Sequence, residues 1–333
     1  IKLNLYIFII LIMVSKQLRQ IWKEEYCKEW FQFVLDNPQI NWDYNILSYN
    51  PNITWDIVKN NPEKKWNYDF LSKNPNITWD IVKNNPDKDW YYCHLSQNPN
   101  ITWDIVKNNQ GQDWSYISLS LNRNITWDIV KNNPEYEWSY DKLSMNPNIT
   151  FDIVKNNPEQ EWNYWGLSQN PNITYDIVKN NPEYEWNYFE LSRNPNITYD
   201  IVKNNPEKKW NYEHYSYNPN VTLDIVQNNP DKDWDYDWLT LNPNITLEII
   251  QKNPQIDWDY WFLSSNPNIT WDIVRDSPNK EWNYHWNYRG LAANPMAKGF
   301  NDYMKKKEDL YNIAYKIIDR YTNRDIAEMI MSI

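Results

Sequence analysis

The sequence predicts an all-α fold: an α-solenoid of about eleven 24-residue repeats, each of two short helices (α plus α or 3-10), with a longer C-terminal capping helix. Three observations predict it. A 24-residue phrase recurs along most of the chain, prolines fall at two fixed places within it, and a capping residue type precedes each of two apolar stretches. The phrase Asn-Pro-Asn-Ile-Thr begins at Asn50, Asn74, Asn98, Asn122 (as Asn-Arg-Asn-Ile-Thr), Asn146, Asn170, Asn194, Asn218 (with Val221), Asn242 and Asn266. Repeat positions are counted from that first asparagine. Prolines at positions 2 and 13 disfavour helix in the residue before each, so every element is short. Glycine is absent from the consensus and no stretch alternates apolar with polar residues, which argues against a β-solenoid.

Taken in order, residues 1–13 read as an apolar leader or as untranslated or fragment sequence. Leu3 to Val14 is too short to span a bilayer, no small-residue cleavage site follows it, and Met13 offers another start. Residues 14–49 read as an N-terminal cap and a degenerate repeat, because Phe31 to Leu47 aligns with a repeat tail through Pro38, Trp42, Tyr44 and Leu47. Ten tandem repeats fill 50–295. In each, the position-5 threonine (Thr54 in the first) is placed to cap Trp55-Asp56-Ile57-Val58-Lys59, with the acid near the positive end of the helix dipole and the lysine near the negative end. A second helix starts at the position-19 tyrosine. The residue before it is Asp43, Asn67, Tyr91, Ser115, Ser139, Asn163, Asn187, Asn211, Asp235, Asp259 or Asn283, so Tyr91 alone is a poor cap. The last repeat is lengthened by duplication of Trp282-Asn283-Tyr284 as Trp286-Asn287-Tyr288. Residues 296–333 form a helical cap, with Leu310, Ile313, Ala314, Ile317 and Tyr321 at helical spacing.

Helices this short are unstable alone, so each unit must bury its apolar side against its neighbours. Position 17 is Trp from Trp42 to Trp282 and position 19 is Tyr from Tyr44 to Tyr284. Ile at positions 4 and 8, Val at 9 and Leu at 22 complete the expected core. The asparagines at positions 1, 3, 11 and 12 read as turn and capping residues stacked in ladders. With roughly 8–10 Å per packed helix, stacking predicts an elongated, curved rod on the order of 100 Å long, covered at one end by Val14 to Trp30 and at the other by the C-terminal helix.

Composition narrows the function. The chain holds 22 Trp and 26 Tyr but only 4 Gly and 2 Cys, at a net charge of −11. The glycines are scattered singly, so no phosphate-cradling loop is available. Two cysteines and three dispersed histidines give no metal-ligand spacing, no cofactor is indicated, and no catalytic constellation stands out. The acidic balance opposes duplex nucleic acid and anionic membranes.

The unit closed by Asn-Pro-Asn-x-Thr resembles the leucine-rich variant repeat, a right-handed solenoid of alternating α and 3-10 helices. The fuller phrase Asn-Pro-Asn-Ile-Thr-Trp-Asp-Ile-Val, followed by Trp-x-Tyr-x-x-Leu-Ser, is similar to tandem-repeat proteins of giant DNA viruses of protists. The chain departs from the leucine-rich variant pattern in lacking the proline after Thr and in using Trp and Tyr where that family uses aliphatics. The resemblance implies a viral origin and no particular activity.

Ten copies form an internal alignment, in which constant positions report the scaffold and variable ones report what is left for function. Positions 20, 21 and 24 vary most, and offsets of 0, 1 and 4 share one side of a helix. They supply the candidate partner-binding residues Phe70, His94, Trp165, Phe189, His214, Trp238, Trp261 and Phe262, to which Trp286 of the duplicated segment is added. Large aromatics on such a face point to contact with a protein. The expected function is a non-enzymatic repeat scaffold that binds a viral or host protein partner, with self-association as a further expectation and no membrane insertion. The alternatives are a purely structural virion or viral-factory component and, third, a single-stranded RNA-binding array. Every repeat contains an N-glycosylation sequon from Asn52 to Asn268, and glycans there would crowd a tight turn. A cytoplasmic, non-secreted protein is therefore expected.

Overall fold

A computed structural model describes residues 2–38, 40–275 and 288–331, and all regular secondary structure among them is helical. A long helix α1 (Lys2–Asp36) leads into α2 (Tyr44–Tyr49), α3 (Trp55–Asn60) and α4 (Tyr68–Lys73). First and second helices of the repeat then alternate as far as α21 (Trp271–Arg275), and α22 (Tyr288–Ala293) and the long α23 (Ala297–Met331) complete the chain. The repeat helices have only four to six residues, about half the expected two turns for the shortest, and the second helix of each unit is α rather than 3-10.

Capping explains how such short helices persist. Thr54 Oγ1 accepts from Ile57 N at 3.4 Å, and Asn67 Oδ1 accepts from Phe70 N at 3.1 Å. Tyr91 makes no side-chain cap, as its residue type predicts. The position-12 asparagine ends the first helix. Asn61 Nδ2 donates to Ile57 O at 2.8 Å, and its own carbonyl accepts from Trp66 Nε1 at 2.8 Å, so the constant Asn and Trp lock one turn together.

Two polar columns then join unit to unit. The position-1 asparagine, fully buried, donates from Nδ2 to the preceding unit: Asn74 reaches Ser48 O at 2.9 Å, Asn50 O at 2.9 Å and Ile53 O at 3.1 Å. Its Oδ1 accepts from the position-3 backbone N–H, and Asn76 Nδ2 adds bonds to Pro51 O and Ile53 O. The position-23 serine works forwards. Ser48 Oγ donates to Tyr44 O at 2.6 Å and accepts from Asn67 N of the next unit at 2.9 Å. Loop carbonyls that a buried turn would leave unpaired are thereby satisfied in every unit.

The apolar core is a column of position-22, position-4 and position-9 side chains, represented by Leu167, Ile173 and Val178, all essentially inaccessible. Position 8 is less buried than its periodicity suggests. Ile57 is buried, but Ile81, Ile105 and the later copies are half-exposed, because they sit at the outer edge of the first helix. The tryptophans seal the junctions between units. Trp66 stands edge-on to Tyr44 of the unit before, with ring centroids 5.3 Å apart, and Trp90 meets Trp55 at 5.9 Å.

The ladder does not end; it closes. Asn50 Nδ2 donates to Ala292 O at 2.8 Å and to Asn294 O at 3.0 Å, and Asn52 Nδ2 donates to Pro295 O at 2.9 Å. Ala292, Asn294 and Pro295 occupy repeat positions 23, 1 and 2, so the bonds that join neighbouring units also join the last unit to the first. α2 packs against α22 as it packs against α4. The end of α1 supplies the missing first helix of the eleventh unit: Phe31 meets Trp66 at 5.8 Å, as Trp55 meets Trp90 at 5.9 Å, and Phe33 meets Trp271 at 6.2 Å. Arg289 Nε pairs with Asp43 Oδ2 across the same seam at 3.2 Å.

The molecule is therefore a closed ring of eleven units, and the open rod expected from stacking alone is overturned. The two ends do not cap opposite faces either. Tyr26 packs on Phe300 and Tyr303, Trp22 on Tyr311, and Arg19 pairs with Glu308, so α1 and α23 run antiparallel as one pair rooted at the seam. Met296, buried at φ 50°, turns the chain out of the repeat and into α23. Among the described residues no helix is long and apolar enough to cross a membrane.

Candidate functional site

Most consecutive second helices pack directly on one another, whereas consecutive first helices lie farther apart. In a ring the closer-spaced layer is the inner one, so the second helices line the central opening. Their core side carries position 22, and the opposite side, with positions 20 and 24, faces inward. The concavity of this wall is visible directly. Tyr49, Lys73, Gln97 and Leu121 of four successive units converge with Pro75, Pro99, Arg123 and Pro147 on one hollow of about 400 Å³. Eleven helices at roughly 8–10 Å spacing, each about 10 Å thick, leave an opening on the order of 20 Å.

The wall has two unlike halves. From α2 to the helix at Tyr140–Met145, position 20 reads Asn45, Asp69, Cys93, Ile117 and Asp141, with Lys73, Arg123 and Lys142 nearby. His94 Nδ1 lies 2.5 Å from Asp69 Oδ1 and 3.0 Å from Asp69 O, which fixes the imidazole between two units. Cys93 Sγ is 3.0 Å from Ser118 Oγ. Cys27 is buried at the root of α1, and burial pushes its thiol up to about 11, so it behaves as a core residue.

The other half begins at Trp165 and is aromatic. Position 20 of five successive units reads Trp165, Phe189, Glu213, Asp237 and Trp261, all exposed. Beside them, Phe189 meets His214 at a tilt of 42° with centroids 3.5 Å apart, and His214 leans on Trp238 at 5.7 Å. The Arg193 guanidinium lies over Trp238 at 4.9 Å and over Tyr217 at 5.5 Å. Burial and the Arg193 charge hold the His214 imidazole below its ordinary range, so it is neutral at pH 7. Burial raises the Glu190 carboxyl, with the Arg193 charge and a hydrogen bond from Trp165 opposing it in part. Burial and the neighbouring Asp259, Asp235 and Asp257 raise Asp237.

Of the nine candidates named from sequence, Trp165, Phe189 and Trp261 are exposed on the inner wall at 47%, 43% and 53%. Phe70, His94, His214, Trp238 and Phe262, all at position 21, are half-buried. Position 21 faces the adjoining unit, which is why Ser118, Gly166 and Glu190 there are buried outright. A Cβ on Gly166 would come within 3.2 Å of Asp141 O and 3.1 Å of Met145 Cγ, so even the smallest side chain would press on the adjoining unit. Trp286 lies outside the described residues. Sequence reasoning passed over Arg193 and Tyr217 at position 24 and the two carboxylates at position 20, although all four stood in its variable columns. Among the described residues no group of His, Cys, Asp or Glu is arranged to hold a metal ion. No protein family, curated protein or solved structure matches the chain.

Proposed function

We propose that the ring is a non-enzymatic scaffold that binds a protein partner on its inner wall, through the aromatic half between Trp165 and Trp261. The observation that carries this reading is the inward exposure of the aromatic rings Trp165, Phe189 and Trp261 on one stretch of a concave surface. Large aromatics left in water on a rigid concave face are the residues that dominate protein–protein affinity. Rigidity adds to this, since a wall ordered by the asparagine ladder loses little entropy on binding. A double change, Trp165→Ser with Trp261→Ser, is expected to leave thermal unfolding within a few degrees of the parent while abolishing capture of the partner from expressing or infected cells. Collapse of stability would place the two rings in the scaffold instead.

We place the protein in the cytoplasm, the host's if its origin is viral. The support is the engagement of the sequon asparagines: Asn76, Asn100, Asn172 and Asn244 each donate from Nδ2 to two carbonyls of the preceding unit. A glycan replaces one of the two hydrogens on that nitrogen, so at least one of those bonds is lost, and it adds bulk where the nitrogen meets the preceding unit. Routed through a secretory pathway, the chain should acquire N-glycans and fail to form the ring; a glycosylated product with the circular dichroism and melting of the unmodified protein would refute this placement.

A further inference from the structure

The inner wall specifies the chemistry of its occupant. On five successive second helices the position-20 column presents, in order, Trp165, Phe189, Glu213, Asp237 and Trp261, all exposed and spaced by one unit, roughly 8–10 Å. Neither Glu213 nor Asp237 has a lysine or arginine within ion-pair reach among the described residues, although most carboxylate–cation pairs elsewhere on the ring are formed within a unit. Two unneutralised carboxylates flanked by exposed aromatic rings form a surface that favours a planar cation: the rings attract its face and the carboxylates accept its N–H donors. The chain itself shows that a guanidinium fits this wall, because Arg193 lies across Trp238 and Tyr217 within 5.5 Å of both centroids.

We propose that the aromatic half of the inner wall binds a basic, arginine-bearing polypeptide segment, with guanidinium groups seated against Trp165, Phe189 and Trp261 and paired with Glu213 and Asp237. This rests on the partner-binding reading and gives the partner its charge. The net charge of −11 draws such a segment towards the ring from a distance. The carboxyl of Asp237, raised by burial and by its acidic neighbours Asp259, Asp235 and Asp257, is relieved by an incoming cation. The opening, on the order of 20 Å, admits one extended chain or one helix of about 10–12 Å diameter. An acidic segment would meet the same carboxylates as repulsion.

The test uses fluorescein-labelled peptides of repeating Ser-Leu-Gly-Xaa, with Xaa as Arg, Lys, Gln or Glu, titrated with the full-length protein and read by fluorescence anisotropy at several salt concentrations. The Arg peptide should bind at least about tenfold more tightly than the Gln peptide, the Lys peptide should fall between them, and the Glu peptide should not bind. W165S/W261S should weaken the Arg peptide about tenfold or more. E213Q/D237N, which keeps shape and hydrogen bonding, should weaken it severalfold and flatten its salt dependence. Lys73→Ala, on the opposite half, should leave it unchanged. Preference for the Gln or Glu peptide that still depends on Trp165 and Trp261 would overturn the arginine assignment and leave the binding wall standing. Binding unaffected by either double variant, or no binding by any peptide, would overturn both.

Discussion

Replacing Asn50 by alanine should destabilise the protein as severely as replacing Asn170, each by about 3–6 kcal/mol, although Asn50 belongs to the first full repeat. Asn170 is fully buried and donates to Ser144 O at 2.9 Å, Asn146 O at 3.0 Å and Ile149 O at 3.2 Å, while its Oδ1 accepts from Asn172 N at 2.9 Å. Alanine leaves these carbonyls and one N–H dry and unbonded, and each such group costs about 1–3 kcal/mol. Asn50 is equally buried, and its partners are Ala292 O and Asn294 O, contributed from the far end of the sequence. In an open solenoid Asn50 would have no earlier unit to bond, and Asn50→Ala would be almost silent. Equilibrium urea unfolding of the two variants therefore tests closure itself: matched losses require the ring, and a near-wild-type Asn50→Ala beside a crippled Asn170→Ala would rule it out. Asn170→Asp is expected to be worse than alanine, since it turns a carboxylate towards carbonyl oxygens.

The unit was legible in the sequence because its determinants are local. A cap, a proline and a constant aromatic each act within a few residues, so repetition of the phrase implied repetition of the structure, down to the missing cap at Tyr91. Closure was not legible, because it depends on a small rotation between units, summed around the whole array and set by no single residue. Its marks were present all the same: Phe31 stands at position 6, and Asn294-Pro295 restores positions 1 and 2 after the lengthened last repeat. Read along a line they look like two frayed ends; in space they are neighbours. The candidate site divides the same way. Variation at positions 20, 21 and 24 separated face from scaffold, but which side of a second helix meets the next unit follows from the curvature. Position 21 thus became a junction, with His94 locked on Asp69, while position 20 became the inner wall. The carboxylates Glu213 and Asp237 resembled ordinary solvated charges until the wall brought aromatic rings to either side of them.

Removal of one junction tryptophan should show how strongly the ring couples its units. Trp162→Ala is expected to cost about 3–5 kcal/mol, because the side chain is nearly buried and seals an interface. Its ring meets Trp127 at 5.5 Å and Tyr140 at 5.3 Å, and its Nε1 donates to Asn157 O at 2.8 Å, so truncation opens a cavity and strips a carbonyl of its donor at once. Trp66, four units away, has the same bond to Asn61 O and the same edge-on contact with a preceding tyrosine, Tyr44. In an open array the terminal units have one interface each, melt first, and let damage remain local. A ring has no terminal unit. Unfolding any one unit breaks two interfaces and forfeits closure, so the remaining units lose their advantage together. Trp66→Ala and Trp162→Ala should therefore each lower the midpoint of one shared urea transition at unchanged slope, and the double variant should be additive, since the sites share no contacts. Two resolved transitions in either single variant, one of them at the wild-type midpoint, would mean that the units unfold independently and that the seam contributes no cooperativity.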